Sequence, residues 1–142
     1  MNTPTHLFRL VVAGAGMALA VVAGAVLADE VKVTLQGSQE VPPVKTSATG
    51  SGTIMINADK SVSGSVTTTG VTGTMAHIHL AATGKNGPVI IPLTKSGNNG
   101  WSVPAGAKLT DDQYKAYKAG DLYVNVHSAE NKGGEIRGQL KP

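Results

Sequence analysis

The stretch "MAHIHLAATGKNGPV", Met75 to Val89, sets two histidines one residue apart. Imidazole nitrogens ligate transition metals and exchange protons near neutral pH. In a strand, side chains alternate between faces, so His77 and His79 point the same way and Ile78 points opposite. Each residue rises roughly 3.3 Å, which sets their Cβ atoms about 7 Å apart. Two rings at that separation can converge on one ion with bonds of about 2.0 Å. Met75 shares their face; a thioether there reads first as packing and second as a soft ligand.

A second segment, "LYVNVHS", alternates in the same way. Leu122, Val124 and Val126 need the core, so Tyr123, Asn125 and His127 face outward or into a site. If the two strands are neighbours, His77, His79 and His127 make a three-nitrogen site with an open position. Neutral imidazoles without a thiolate suit Zn²⁺ or Cu²⁺, and the affinity order favours copper, one ion per chain. Tyr123 is a further candidate, as axial ligand or hydrogen-bond donor. Asn125 and Glu135 are candidates to accept from the ring N–H groups and orient the rings. The bland reading is that His-x-His merely decorates a solvated strand; the third histidine on a matching face weighs against it.

Other chemistry is thin. "ATGKNGPV" lacks phosphate-loop spacing and a following helix, and reads as a turn beside the histidines. Ser102, Ser128 and the acidic residues form no nucleophile, base and orienter set, which argues against an enzyme. Glu135 and Arg137 share a strand face and read as an ion pair. With no cysteine among 142 residues, neither a disulfide nor a thiolate ligand is available.

The chain start reads as a secretory signal peptide, residues 1–28. Arg9 precedes an apolar run from Leu10 to Leu27, and Ala28 with Val26 at the −3 position marks the cut before Asp29-Glu30. An uncleaved anchor is the rival reading, because the run is long enough to span a bilayer. Cleavage implies a periplasmic or secreted protein with no remaining membrane segment, and removes His6. It also removes Arg9, lowering the formal net charge from +3 to +2. Scattered lysines without stacking aromatics exclude a nucleic-acid footprint.

The elements that must hold the histidines are strands. Segments 31–36, 52–58, 62–70, 75–81, 88–93, 122–128 and 135–140 alternate, with turn residues between them. Even spacing of this kind predicts one all-β sandwich or barrel over 29–142. Residues 57–60 and 130–134 mark two hairpins. "LTDDQYKAYKAG" predicts one short helix, 111–118, with Thr110 and Gln113 as a capping box and Gly120 as its stop. In "EVPPV", the prolines suit a strand end or an edge.

Three blocks, "LQGSQEVPPV", "AHIHLAATGKNGPVIIPL" and "GDLYVNVHSAENKGGEIRGQL", together resemble the CHRD domain, a family named from chordin and widespread in exported bacterial proteins. The resemblance implies an antiparallel, Greek-key-like β-sandwich, similar to copper/zinc superoxide dismutases or immunoglobulin domains. The positions matching the family's His-x-His and Val-His motifs are His77, His79 and His127. It brings no established activity; animal members sit in extracellular signalling proteins. A dinuclear copper/zinc site would need further histidines that the mature chain lacks. The expected role is therefore metal storage, delivery or electron transfer at one copper or zinc ion, with a protein partner as a further possibility. The alternative is a non-catalytic module binding a protein or polysaccharide without metal.

Overall fold

The computed structural model describes residues 19–20 and 27–142, so the expected leader falls almost wholly outside the described residues. Nine antiparallel strands follow in order: β1 (Ala28–Gln36), β2 (Thr49–Asn57), β3 (Val62–Thr69), β4 (Gly73–Leu80), β5 (Val89–Pro92), β6 (Thr94–Ser96), β7 (Gly100–Ser102), β8 (Leu122–Ser128) and β9 (Ile136–Leu140). One helix, α1 (Asp111–Lys118), lies between β7 and β8. The chain is all-β with a short helix, as its alternation predicts. The hairpin β6–β7 is not foreseen, because three residues a side are too few for a period to register.

The strands form a single sheet in the order β5-β4-β8-β9-β1-β2-β3-β7-β6. Successive strands β3 and β4 are not neighbours, and β9 returns beside β1, which gives the Greek-key-like path. The sheet nearly closes on itself. Strands β5 and β6 are two halves of one run, separated only by Leu93; the first half pairs with β4 and the second with β7. At the bend, the Leu93 amide donates to the Ala76 carbonyl at 2.9 Å. The interior is filled by Val31, Val33, Leu35, Ile54, Ile56, Val66, Ile78, Trp101, Leu122, Val124, Val126, Ile136 and Leu140, among others.

Helix α1 forms where its local chemistry directs. The Thr110 hydroxyl accepts from the Gln113 amide, and the Gln113 side chain accepts from the Thr110 amide. At the far end, Asp121 N–H reaches Ala116 O and Gly120 N–H reaches Tyr117 O, with Gly120 at φ +82°. Those two bonds are a Schellman stop. Tyr117 is fully buried, and Lys118 pairs with Asp29 at the start of β1, tying the helix to the first strand.

Strand β8 positions the site. All seven of its residues are buried. Leu122, Val124 and Val126 enter the core, while Tyr123, Asn125 and His127 lie beneath loops rather than in solvent. Three loops cover them. The "EVPPV" segment is one, and it is not a sheet edge: Glu40 is buried, and Thr46 donates to Glu135 across the face. The 81–88 loop is the second, joined to the first by Asn86 Nδ2 donating to Val41 O at 2.7 Å. The β8–β9 connection is the third.

Candidate metal centre

Strands β4 and β8 are hydrogen-bonded neighbours, with Met75 opposite His127, His77 opposite Asn125 and His79 opposite Tyr123. Residues directly opposite share a face. The three histidines therefore lie on one surface, and their ligand-competent nitrogens lie within 4.8 Å of one another. Three atoms so placed all fit within about 2.8 Å of a common point. A tetrahedral ion with bonds of about 2.0 Å needs nitrogens about 3.3 Å apart, so modest closure of the rings suffices.

The backbone fixes the proton on two rings. His79 Nδ1 lies 2.9 Å from Gly87 O, and His127 Nδ1 lies 2.8 Å from Lys132 O. A carbonyl only accepts, so both Nδ1 atoms carry hydrogen and both Nε2 atoms keep a lone pair. His127 Nε2 faces His77 Nδ1 at 3.0 Å. His79 Nε2 is buried and has no hydrogen-bond partner. An orphaned buried lone pair beside two more imidazoles is what a histidine metal site needs, so the residues fit a copper or zinc ion.

Burial disfavours the charged rings. It lowers the pKa of His77, and the neighbouring His127 and His79 push it the same way. Burial also lowers His79, opposed in part by its bond to Gly87. Both rings are thus neutral and ready to ligate at neutral pH.

Gly87 reaches His79 because it has no side chain. A Cβ there would overlap the Leu80 carbonyl far inside van der Waals contact. Arg137 holds the same loop from below: it is almost wholly buried and donates to Lys85 O at 2.8 Å and Ala82 O at 3.2 Å. Its guanidinium lies 3.4 Å above the Tyr123 ring, and Tyr123 stacks on His79 with centroids 4.7 Å apart and planes 1° from parallel. Tyr123 thus meets His79 ring to ring, and its hydroxyl accepts from the Gly87 amide at 3.3 Å. Its visible part is to clamp the ring and the loop.

Two expectations about polar partners are corrected. Glu135 bonds no histidine ring; it accepts from Thr46, Ser128 and Asn131. Burial alone would raise its carboxyl, but these three bonds outweigh it and hold the pKa below the ordinary value. Glu135 acts on His127 at one remove, by shaping the loop whose Lys132 carbonyl orients the ring. Nor does Glu135 pair with Arg137: among the described residues the ion pairs are Lys60–Asp111 and Lys118–Asp29. Asn125 does lie against a ring: its side-chain amide opposes the lowering of the His79 pKa, while its Nδ2 leans toward Gly133 O at 3.5 Å. Met75 stands half-exposed beside His127.

Sequence reasoning misses three contributors. Gly87 O and Lys132 O are backbone atoms with no side-chain signature. Glu40 is the third, and its sequence signal is only an acid two positions ahead of a proline pair. Burial raises the Glu40 carboxyl to about 7, with the Asn125 amide and the Arg137 charge opposing.

A nearly closed antiparallel sheet carrying a three-histidine cluster on one loop-covered face is the class this architecture defines. The CHRD domain family model matches residues 31–140, and the chain belongs to that family. No curated protein and no solved structure matches it. No helix among the described residues is long and apolar enough to cross a membrane.

Proposed function

We propose that this protein binds one copper or zinc ion through His77, His79 and His127, and that it stores, delivers or passes electrons through that metal. The observation that carries the reading is the convergence of three ligand nitrogens within 4.8 Å, two of them on rings oriented by backbone carbonyls. Copper is the preferred occupant, since imidazoles follow the divalent affinity order that peaks there. Among the described residues no nucleophile and base accompany the cluster, so handling of the ion itself is a better fit than hydrolysis. His77 is the least buried of the three and gives the ion its path in and out. Cleavage of a leader at residues 1–28 would put this work outside the cytoplasm, with a metal-donating or electron-accepting protein as the partner.

A thermal melt tests the reading. A ligand that binds only the folded state at about a hundredfold above its Kd adds about 2.7 kcal/mol. Copper or zinc should therefore raise the midpoint by several degrees, and a chelator should reverse it. A midpoint unmoved by either metal would contradict the reading and favour the metal-free interaction module.

A further inference from the structure

Among the described residues, three buried side-chain atoms lack a hydrogen-bond partner: His79 Nε2, Asn125 Oδ1 and Glu40 Oε1. They belong to one neighbourhood. Asn125 sits opposite His77 on the histidine-bearing face. A Cβ built on Gly134 would stand within 2.5 Å of both Glu40 Oε1 and Asn125 Nδ2, so these two atoms border the same small space. Gly134 has φ +124°, a conformation that leaves this space to the two side chains.

With His79 neutral and Glu40 ionised, all three atoms are acceptors, and the Asn125 amide lies within reach of both His79 and Glu40. The Gly87 carbonyl takes the His79 proton at Nδ1, which leaves Nε2 as a lone pair. The Asn125 amide leans its nitrogen toward Gly133 O, which turns Oδ1 the other way. Glu40 is a carboxyl group with no ion pair. Burying acceptors without donors is costly, and the group that complements all of them is a cation. Histidines alone would give that cation no negative charge. Arg137 is positive, and its donors are committed to Ala82, Lys85, Asn86 and Gln139.

We infer that Asn125 Oδ1 is the oxygen donor to the ion held by His77, His79 and His127, and that Glu40 is a positioning residue. Its carboxylate holds the Asn125 amide in that orientation and offsets the charge of the ion. This rests on the three-histidine reading. Glu40 comes from the 37–48 segment, so the same contact ties that segment to the histidine-bearing face.

The experiment measures Cu²⁺ affinity, by competition with a chelator, and the electron paramagnetic resonance spectrum. It compares wild type, Asn125→Leu, Asn125→Asp and Glu40→Gln. Asn125→Leu should lose about ten- to a hundredfold in affinity and shift the copper hyperfine splitting. Asn125→Asp restores an oxygen and should recover affinity. Glu40→Gln should lose about tenfold with a smaller spectral change. Wild type labelled with carbonyl-¹³C asparagine needs no variant: a ligated Asn125 gives a ¹³C coupling to Cu²⁺ in pulsed measurements. Wild type that binds one Cu²⁺ without that coupling, or variants that bind with unchanged affinity and spectrum, would overturn the inference alone. Wild type that binds no Cu²⁺ would overturn the three-histidine reading itself and this inference with it.

Discussion

His77 Nδ1 and His127 Nε2 meet at 3.0 Å although fifty positions separate them in the chain. The Lys132 carbonyl holds the proton on the other nitrogen of His127, so the proton in this contact comes from His77. A cation bound at both nitrogens moves that proton to His77 Nε2, with no net release. Only a further proton, taken up on acidification, competes with the metal for these nitrogens.

Metal affinity should accordingly be nearly level around pH 7 to 8 and fall on acidification. The His77 and His79 pKa values are lowered from 6.5, chiefly by burial, so these rings take up protons only below that value. Each ring that must lose a proton weakens binding by about tenfold per pH unit once below its pKa. Competition titrations at pH 5, 6, 7 and 8 read this directly. Affinity independent of pH across that range would mean the imidazoles are not the ligands.

Substituting Ala at Gly87 should damage the site from a distance. The added Cβ has no room against the Leu80 carbonyl, so the loop must move and His79 loses its acceptor. A loss of about 1–3 kcal/mol in stability is expected. Metal affinity should fall by about tenfold or more as the ring loosens. Urea unfolding and a metal titration check both; a variant with unchanged metal affinity would show that the carbonyl does not orient His79.

Arg137→Lys should behave as a severe change despite keeping the charge. A lysine cannot stack flat on Tyr123 or reach Ala82 O and Lys85 O together. The expected cost is about 2–4 kcal/mol. Residues 81–87 should also become the first segment cut in limited proteolysis, since their anchors are gone. Stability within about 0.5 kcal/mol of wild type would contradict the clamp described here.

Glu40→Gln should change the pH profile of the metal-free protein. Burial raises the folded-state carboxyl to about 7, against 4.5 for an ordinary one. Between those values the folded protein keeps a proton that the unfolded chain has released, so this group's contribution is lost as pH rises. Glutamine has nothing to titrate. Glu40→Gln should therefore gain on wild type between pH 4.5 and pH 8, by on the order of 3 kcal/mol. The lowered histidines act in the opposite sense in both proteins, adding stability as pH rises toward 6.5, and so cancel in the comparison. A difference between the two proteins that stays constant with pH would refute the assignment.

Alternation alone makes much of this legible. The Leu122/Val124/Val126 face needs a core, so Tyr123, Asn125 and His127 had to share the opposite one, and they do. Thr110 and Gln113 announced the helix because capping is local chemistry. The register that sets Met75 against His127 was not legible, because strand pairing across fifty residues leaves no local trace. Glu135 was misread as a histidine partner because any backbone carbonyl can take that place, and sequence does not say which one will. The prolines after Glu40 read as a strand end or an edge; they follow the end of β1, and the segment forms a cover that buries the acid over the β8 face.

The most direct test of the account is the copper stoichiometry of the purified protein, measured together with that of His127→Ala. Wild type should bind one Cu²⁺ per chain, with an electron paramagnetic resonance spectrum showing nitrogen couplings from three imidazoles. His127→Ala should lose stoichiometric binding. Wild-type binding well below one per chain, or binding unchanged by His127→Ala, would contradict it.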